Sequence, residues 1–552
     1  MQNHRIEASR RIARCSLAIA TALVIASTAA AQQSAPPNIV FMYADDWGFG
    51  DLACHGHPYL KTPNIDRLAR EGTDFHQFTV CNPVCSPSRT AIVTGQYPAR
   101  HRIHEAISDH AANAQRGMPD WLDPKVTLLP RLLKNAGYTT GHFGKWHLGG
   151  RDGDSQAPLP TDYGYDVSAV WNGVGPDVWT GSSLAKRGGD AHEKSAASFM
   201  SAAATEHAIR FLRETKGRPF YMNLWLHETH HLVSATDDDK LAYPDTAEPQ
   251  RTYYSAVTRA DRLIGNVLDT LDELGVADNT IVVFSSDNGP EDSHPNPGDK
   301  FYFSVGTTGG LRGRKRSLYL GGVNIPFIVR WPAQVPAGRV DKSSVLSGVD
   351  MLPTFLAAAN LPLPAAYQPD GMNVLPAFRG ESFTRKQPIF WDWRGNHTKV
   401  ANWPELAIRS GDWALLMTND SKRIELYDIV HDRGEQSDVA AQQPERVAQM
   451  SQQLLAWRDT LPASPTQSSS VAASSKKARK KPAATSDRPT PDRARAFERW
   501  DTNHDNVLTL DEYRDGLSDP TNAEARFKRF DVNSDGRLIR AEFVTPHANA
   551  EP

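Results

Sequence analysis

Two apolar runs in this chain end in pairs of oxygen-donor side chains. Asn38-Ile39-Val40-Phe41-Met42-Tyr43-Ala44 leads directly into Asp45-Asp46, and Thr280-Ile281-Val282-Val283-Phe284-Ser285-Ser286 leads into Asp287-Asn288. Each run reads as a buried strand. Apolar strands and helical patterns alternate from Asn38 to about Leu461, so the expected fold is α/β with a largely parallel sheet. Val257, Leu263, Ile264, Val267, Leu268, Leu271 and Leu274 form one helical stripe feeding the second strand. In a parallel sheet the carboxyl ends of strands share an edge, where open α/β folds place their ligands. Three carboxylates and an amide meeting there repel one another unless a hard divalent cation sits among them. The plainer reading is two strand-to-turn exits, since Asp and Asn favour turns. Two such pairs in one chain favour the metal.

At 552 residues the chain exceeds one ordinary core. Hydrophobic residues at 39%, charged residues at 23% and a net charge of -3 describe a soluble globular protein and speak against a bulk nucleic-acid partner. With 4 cysteines, one of them Cys15 in the leader, no disulfide scaffold is expected. Residues 1–31 read as a signal peptide: Arg5, Arg10, Arg11 and Arg14 precede a short apolar run that closes on Ala29-Ala30-Ala31. The expected location is therefore periplasmic or secreted, with no stable membrane anchor; an uncleaved anchor is the other reading of that run. Residues 462–491 are rich in Ser, Ala, Pro and Lys and read as a disordered basic linker. Its run of Lys476, Lys477, Arg479, Lys480 and Lys481 is either solvated tether or a grip for an acidic polysaccharide.

Residues 492–552 contain a tandem repeat. Asp501, Asn503, Asp505, Thr509 and Glu512 occupy the first, third, fifth, ninth and twelfth places of one loop, and Asp531, Asn533, Asp535, Ile539 and Glu542 the same places of a second. The carbonyls of Val507 and Arg537 supply the seventh place, and Leu508 and Leu538 are placed to pair between the loops. Gly536 makes the sharp turn in the second loop, where the first has Asn506, a residue that tolerates left-handed backbone. Phe497, Trp500, Phe527 and Phe530 would form a small shared core. The pattern predicts an α-helical EF-hand pair holding up to two calcium ions. A structural role fits an exported protein better than a switch, because calcium outside the cell is abundant.

Between the two strand-end pairs lies Cys81-Asn82-Pro83-Val84-Cys85-Ser86-Pro87-Ser88-Arg89-Thr90-Ala91-Ile92-Val93-Thr94-Gly95. Pro87 suits a first helical turn, so Cys85 is expected just before a helix whose exposed N–H groups attract anions, with the Arg89 cation beside it. Here the chain resembles the type I sulfatases of the alkaline phosphatase superfamily, whose signature is Cys followed by xPSR and later an aliphatic residue and TG; Val93 stands where Leu or Met is commoner. Gly144-Lys145-Trp146-His147-Leu148-Gly149, Ser286-Asp287-Asn288-Gly289 and Leu426-Tyr427-Asp428 resemble further family segments in the same order. The resemblance covers about Pro37 to Leu461. It implies an alkaline-phosphatase-like catalytic domain over residues 36–375, with a smaller antiparallel subdomain at 376–461, of which segments 407–416 and 424–429 read as strands.

The resemblance also implies that a separate maturation enzyme oxidises Cys85 to formylglycine, and that Asp45, Asp46, Asp287 and Asn288, with residue 85, hold a calcium ion. Lys145 and His147 match residues touching the formylglycine hydrate. Lys315 matches a lysine reaching the sulfate, although Leu320 and Asn324 depart from the family pattern and Arg312, Arg314 and Arg316 are rival cations. The leaving-group histidine aligns with His230, preceded by Thr229 where Pro is usual; His227 and His231 are the other choices. A sulfate monoester is an anion, so cations must screen the incoming nucleophile and neutralise the departing alkoxide. The implied route has one oxygen of a geminal diol attack sulfur, Asp287 accept its proton and His230 with Lys315 assist the leaving oxygen. Proton loss from the second hydroxyl, to His147, then expels sulfate. The leading expectation is an exported sulfatase acting on sulfated carbohydrates. A phosphodiester or phosphonate hydrolase of the same superfamily and a non-catalytic calcium-binding adhesion protein are the alternatives. Cys54 and Cys81 are read as either paired or reduced.

Overall fold

The structure, a computed structural model, describes residues 35–150, 157–171, 197–215, 217–230, 233–291, 305–394, 403–462, 491–517, 523–531 and 535–544. Residues 1–31, read above as a signal peptide, His231, Asn533, and residues 463–490 of the stretch read as a linker lie outside these. The chain divides into two compact units, Met1–Ser468 and Ser469–Pro552. Among the described residues no helix is long and apolar enough to cross a membrane.

The first unit is built on strands β1 (Asn38–Ala44), β2 (Thr73–Phe75), β3 (Thr139–Lys145), β4 (Val167–Trp171), β5 (Phe220–Trp225), β6 (Thr280–Ser286), β7 (Phe327–Arg330) and β8 (Arg339–Asp341). They form one sheet in the order β4-β3-β5-β1-β6-β7-β2-β8. The first five in that order are parallel, β7 runs antiparallel to both its neighbours, and β8 is parallel to β2. The period-two geometry of a strand sends successive side chains to opposite faces, and both faces here are covered. Ile39, Phe41, Tyr43, Ile281 and Val283 enter one apolar cluster with Ala91, Ile92 and Val93 of helix α2, whereas Val40, Met42, Ala44, Val282 and Phe284 enter another.

Helices α1 (Pro63–Glu71), α2 (Cys85–Thr94), α3 (Ala197–Glu214) and α4 (Gln250–Glu273) flank the sheet. The predicted stripe on α4 packs into the second cluster through Val257, Ile264, Val267, Leu268 and Leu271, while Leu263 and Leu274 are only half-buried. Every residue of α2 is buried, so this helix is a central strut rather than a surface element.

A second sheet is antiparallel and four-stranded: β9 (Ile389–Asp392), β10 (Leu406–Ser410), β11 (Trp413–Met417) and β12 (Ile424–Asp428). The single strand read at 407–416 is a hairpin, because Gly411 takes φ 59 and turns the chain. Helix α5 (Pro444–Asp459) covers this sheet, with Trp457 stacked 4.8 Å from Phe390. One apolar cluster runs from the large sheet through Leu406, Leu415, Leu426 and Leu454. Cys54 and Cys81 are both free thiols, the first exposed and the second buried.

Gly144 near the end of β3 has φ 102, and a Cβ there would sit 2.0 Å from the Trp225 carbonyl oxygen on β5. Replacing Gly144 with alanine therefore combines left-handed strain with a backbone clash and should cost about 2–4 kcal/mol. The denaturation midpoint of the purified variant measures this; an unchanged midpoint would show that the strand pair yields freely.

The second unit contains α6 (Pro491–Trp500), α7 (Leu510–Gly516), α8 (Ala523–Phe530), α9 (Arg540–Val544), and strands β13 (Val507–Thr509) and β14 (Arg537–Ile539). The strands pair antiparallel with Leu508 opposite Leu538. Phe497, Leu508, Tyr513, Phe527, Leu538 and Phe543 make its core, with Trp500 and Phe530 at the margin. The Asp501 carboxylate accepts the N–H groups of Asp505 (3.2 Å) and Asn506 (2.9 Å), and Asp531 accepts those of Asp535 (3.1 Å) and Gly536 (2.9 Å). Asn506 and Gly536 both turn left-handed, at φ 63 and 78.

Candidate active site

The parallel register brings four strand ends level. Ala44 pairs with Ser286, Tyr43 with Trp225, and Gly144 also with Trp225, so Asp45-Asp46, Asp287-Asn288, Lys145-Trp146-His147 and His227 all leave the sheet at one edge. Asp46 (φ 63) and His147 (φ 52) turn left-handed immediately beyond it, a conformation that non-glycine residues seldom hold without surrounding constraint. The Asp46 N–H donates to Asp287 Oδ1 at 3.2 Å, and Asn288 Nδ2 donates to Asp46 Oδ1 at 2.7 Å. Ligand atoms of Asp45, Asp46, Cys85 and Asp287 all lie within 4.8 Å of one another.

Burial and mutual repulsion make this cluster costly without a cation. Burial, opposed by Lys315 and reinforced by Asp45, pushes Asp46 up to about 7. Asp287 is also raised, by burial first and then by Asp45. Asp45 resists the same burial because Lys145 and the histidines beside it hold it well below the carboxylate range. Asn288 Oδ1 is buried with no hydrogen-bond partner among the described residues. An orphaned amide oxygen beside three carboxylates is the donor set of a hard divalent cation, so the residues fit the metal.

Cys85 opens helix α2, and its Sγ donates to Asp45 Oδ1 at 3.6 Å. Burial, then the Asp287 charge, pushes its thiol far above the ordinary value, so an unmodified thiol at this position is a poor nucleophile. Arg89, one helical turn later and wholly buried, donates from Nε (3.1 Å) and Nη2 (2.5 Å) to Asp287 Oδ2. Its guanidinium lies 4.9 Å from the Trp225 ring and 5.6 Å from that of Tyr43.

Two lysines complete the neutralisation. Lys145 Nζ meets Asp45 Oδ2 at 2.5 Å, and Lys315 Nζ meets Asp46 at 2.6 Å and Glu291 at 3.3 Å. The rival arginines point elsewhere: Arg312 donates to Tyr427 and Glu435, Arg314 to the Glu291 and Gly306 carbonyls, and Arg316 to the Glu291 carboxylate. His147 Nε2 donates to the Ile107 carbonyl at 3.0 Å, which leaves Nδ1 bare. His230 reaches Asp45 and Cys85 within the same 4.8 Å limit. Its ring stacks 4.6 Å from that of His227, whose Nδ1 lies 2.6 Å from Asp45 Oδ2. Burial followed by the Lys145 charge lowers His147 and His230 well below the usual value; burial lowers His227 to about 4 despite Asp45. Burial therefore holds these imidazoles neutral.

The structure thus gathers Asp45, Asp46, Cys85, Arg89, Lys145, His230, Asp287, Asn288 and Lys315 at one edge. Sequence reasoning gave no place to Glu291, two residues beyond Gly289, and weighed Arg316 only as a rival to Lys315, whereas the Glu291 carboxylate pairs with both cations. It kept His227 only as a second choice, although a histidine two residues beyond the strand-end Trp225 belongs to the same edge.

The model of the family described as Sulfatase matches residues 37–361, and that of N-sulphoglucosamine sulphohydrolase, C-terminal, matches 313–460. The chain is similar to the N-acetylgalactosamine-6-sulfatase of Canis lupus familiaris, 33% identical over 398 residues that cover 68% of this chain and 72% of that protein. It is similar to the N-acetylgalactosamine-6-O-sulfatase of Bacteroides thetaiotaomicron, 28% identical over 500 residues, or 77% of this chain and 93% of that one. Among solved structures, Ps i-CgsB in complex with k-i-k-neocarrahexaose matches with a TM-score of 0.63 at 27% identity, over 76% of this chain and 92% of that one. The large mixed sheet with its small antiparallel companion is the alkaline-phosphatase-like α/β fold. Matched over more than half its length, the chain belongs to the sulfatase family and is a sulfuric ester hydrolase.

Proposed function

We propose that the protein is exported, and that it removes sulfate from carbohydrate esters through a formylglycine made from Cys85 by a separate maturation enzyme, with a calcium ion in the site. The observation that carries this reading is Cys85 at the start of a buried helix, surrounded by three carboxylates, Arg89, Lys145 and Lys315. Relatives named for 6-sulfated N-acetylgalactosamine support a sulfated sugar as substrate.

Asp45, Asp46, Asp287 and the bare Asn288 oxygen would hold the ion, which supplies positive charge to lower the proton affinity of the residue-85 oxygen. Hydrated formylglycine offers one hydroxyl to sulfur and keeps a second, whose deprotonation releases sulfate without water attacking an ester. Asp287, its pKa already raised, accepts the first proton, and Arg89 fixes the orientation of that carboxylate through two hydrogen bonds. Lys145 and Lys315 screen the sulfate oxygens from the carboxylates they now neutralise. His230 with Lys315 serves the leaving oxygen, and His147, anchored through Nε2, takes the second proton at Nδ1.

Mass spectrometry of the mature protein from its native host should show an N-terminus near Ala31 and the residue-85 peptide as the aldehyde. Sulfate release from a panel of sulfated sugars, led by 6-sulfated N-acetylgalactosamine, should exceed turnover of an aryl phosphodiester. An unmodified thiol in an active preparation, or faster phosphodiester turnover, refutes the reading.

The second unit is read as an EF-hand pair. Asp501, Asn503, Asp505, the Val507 carbonyl and Glu512 would hold one calcium, and Asp531, Asn533, Asp535, the Arg537 carbonyl and Glu542 another. The matched carboxylate-to-backbone bonds of Asp501 and Asp531 support this. Calorimetric calcium titration of the chelator-treated chain should lose these two sites in a Glu512→Gln, Glu542→Gln protein that still releases sulfate. Unchanged stoichiometry would exclude them.

A further inference from the structure

The segment that follows Asp45-Asp46 carries a second cluster of ligand-type side chains that the hydrolytic site does not use. Cys54 Sγ, a His55 ring nitrogen and an Asp74 carboxylate oxygen lie within 4.8 Å of one another. The His55 side chain is wholly buried, and the Asp74 side chain is 5% exposed. His55 Nδ1 meets the Phe49 carbonyl oxygen at 2.6 Å, and a carbonyl only accepts, so Nδ1 carries the hydrogen. The ring is held there by stacking on Phe49, with centroids 4.2 Å apart and planes at 22°.

This tautomer leaves His55 Nε2 with a lone pair, pointing at Asp74 Oδ2 from 2.9 Å. His76 Nε2 approaches the same oxygen at 3.2 Å. Asp74 Oδ1 is buried and has no hydrogen-bond partner among the described residues. An imidazole lone pair facing a carboxylate, with a further carboxylate oxygen orphaned, requires a proton or a cation between them. Donation of the other ring nitrogen to a backbone carbonyl is how metal-ligating histidines are oriented. The exposed Cys54 thiol adds a soft donor at the rim, and a surface cleft of about 380 Å³ lined by Cys54, Asp66, Arg70 and Asp74 gives an ion access.

We propose that Cys54, His55, Asp74 and His76 form a zinc site, separate from the hydrolytic centre. The donor set of one sulfur, two imidazoles and one carboxylate is that of tetrahedral zinc, whose ligand atoms lie about 3.3–3.8 Å apart. Seating the ion would draw Cys54 inward from the 4.8 Å group it forms with His55 and Asp74, and would spread the two imidazole nitrogens from the Asp74 oxygen they approach at 2.9 and 3.2 Å. Binding turns the Cys54 thiol into thiolate and releases its proton to solvent; thiolate and carboxylate together balance the charge of the dication. The ion would tie the segment after Asp46 to strand β2, which carries Asp74.

Cobalt(II) is the probe, because a thiolate ligand gives it an intense near-ultraviolet charge-transfer band that oxygen ligands do not. Titration of the chelator-treated full chain should produce this band, zinc should abolish it, and Cys85→Ser should leave it intact. Cys54→Ser, a change at an exposed position, should remove it, and His76→Ala should weaken cobalt binding by about tenfold or more. Absence of the band in the unaltered chain, or its survival in Cys54→Ser, would show a proton-bridged His55–Asp74 pair instead and overturn the proposal.

Discussion

Replacing Cys85 with alanine is expected to lower sulfate-ester turnover by on the order of 10⁴–10⁶-fold, the scale on which loss of a covalent nucleophile is felt. The fold should survive. Cys85 is 2% exposed, and the change deletes one sulfur from the first turn of a helix whose other residues are all buried. The resulting cavity is small, with a cost of about 1 kcal/mol. Serine is the sharper control. Its hydroxyl could attack sulfur, but it lacks the second hydroxyl that the proposed formylglycine hydrate uses to release the product, so Cys85→Ser should also fail to turn over. Sulfate release under multiple-turnover conditions, read beside circular dichroism and the thermal midpoint, separates chemistry from folding. A folded Cys85→Ala protein with full activity would remove residue 85 from the reaction.

The two acidic strand ends were legible because they depend on local pattern alone. Strands β1 and β6 are apolar on both faces, parallel pairing follows from that, and parallel pairing places Asp45 beside Asp287. A helix beginning close to Pro87 was legible for the same reason, although it starts at Cys85 itself rather than just after it. Long-range pairings were not. Nothing near Lys145 says that it will meet Asp45 rather than solvent, or that Glu291 will hold both Lys315 and Arg316. Strand β7 runs against its neighbours although its apolar FIVR pattern resembles that of a parallel strand. The left-handed turns at Asp46 and His147 are also invisible beforehand, because tertiary packing rather than residue type imposes them. The same holds for the His55 tautomer, which depends on the Phe49 carbonyl across a turn. Tyr513 and Phe543 entered the core of the second unit unforeseen because they lie on its outgoing helices, whereas the repeat drew attention to the incoming ones.

Arg89→Met is expected to destabilise the first unit by about 3–5 kcal/mol, the cost of stripping a buried carboxylate of its cation. Methionine keeps the apolar stem near Tyr43 and Trp225, so the loss reports charge and hydrogen bonding rather than a void. What remains is Asp287 beside Asp45 and Asp46, with only the two lysines to offset three carboxylates. The pH dependence has a definite sign. Asp287 already has its folded-state pKa raised above the ordinary 3.8, by burial first, and loss of Arg89 raises it further. The native state then binds the proton more tightly than the unfolded chain, so stability falls as pH rises through that interval. The deficit of the variant should be largest at neutral pH and shrink under mildly acidic conditions. Asp287→Asn added to Arg89→Met should restore part of the loss, because the charge left unpaired is gone; a coupling of about 1–3 kcal/mol is expected. Calcium offers an independent check. A cation bound among these carboxylates replaces some of the missing charge, so it should raise the thermal midpoint of Arg89→Met by more than it raises that of the unaltered protein. Equal calcium shifts in the two proteins would place the ion away from Asp287.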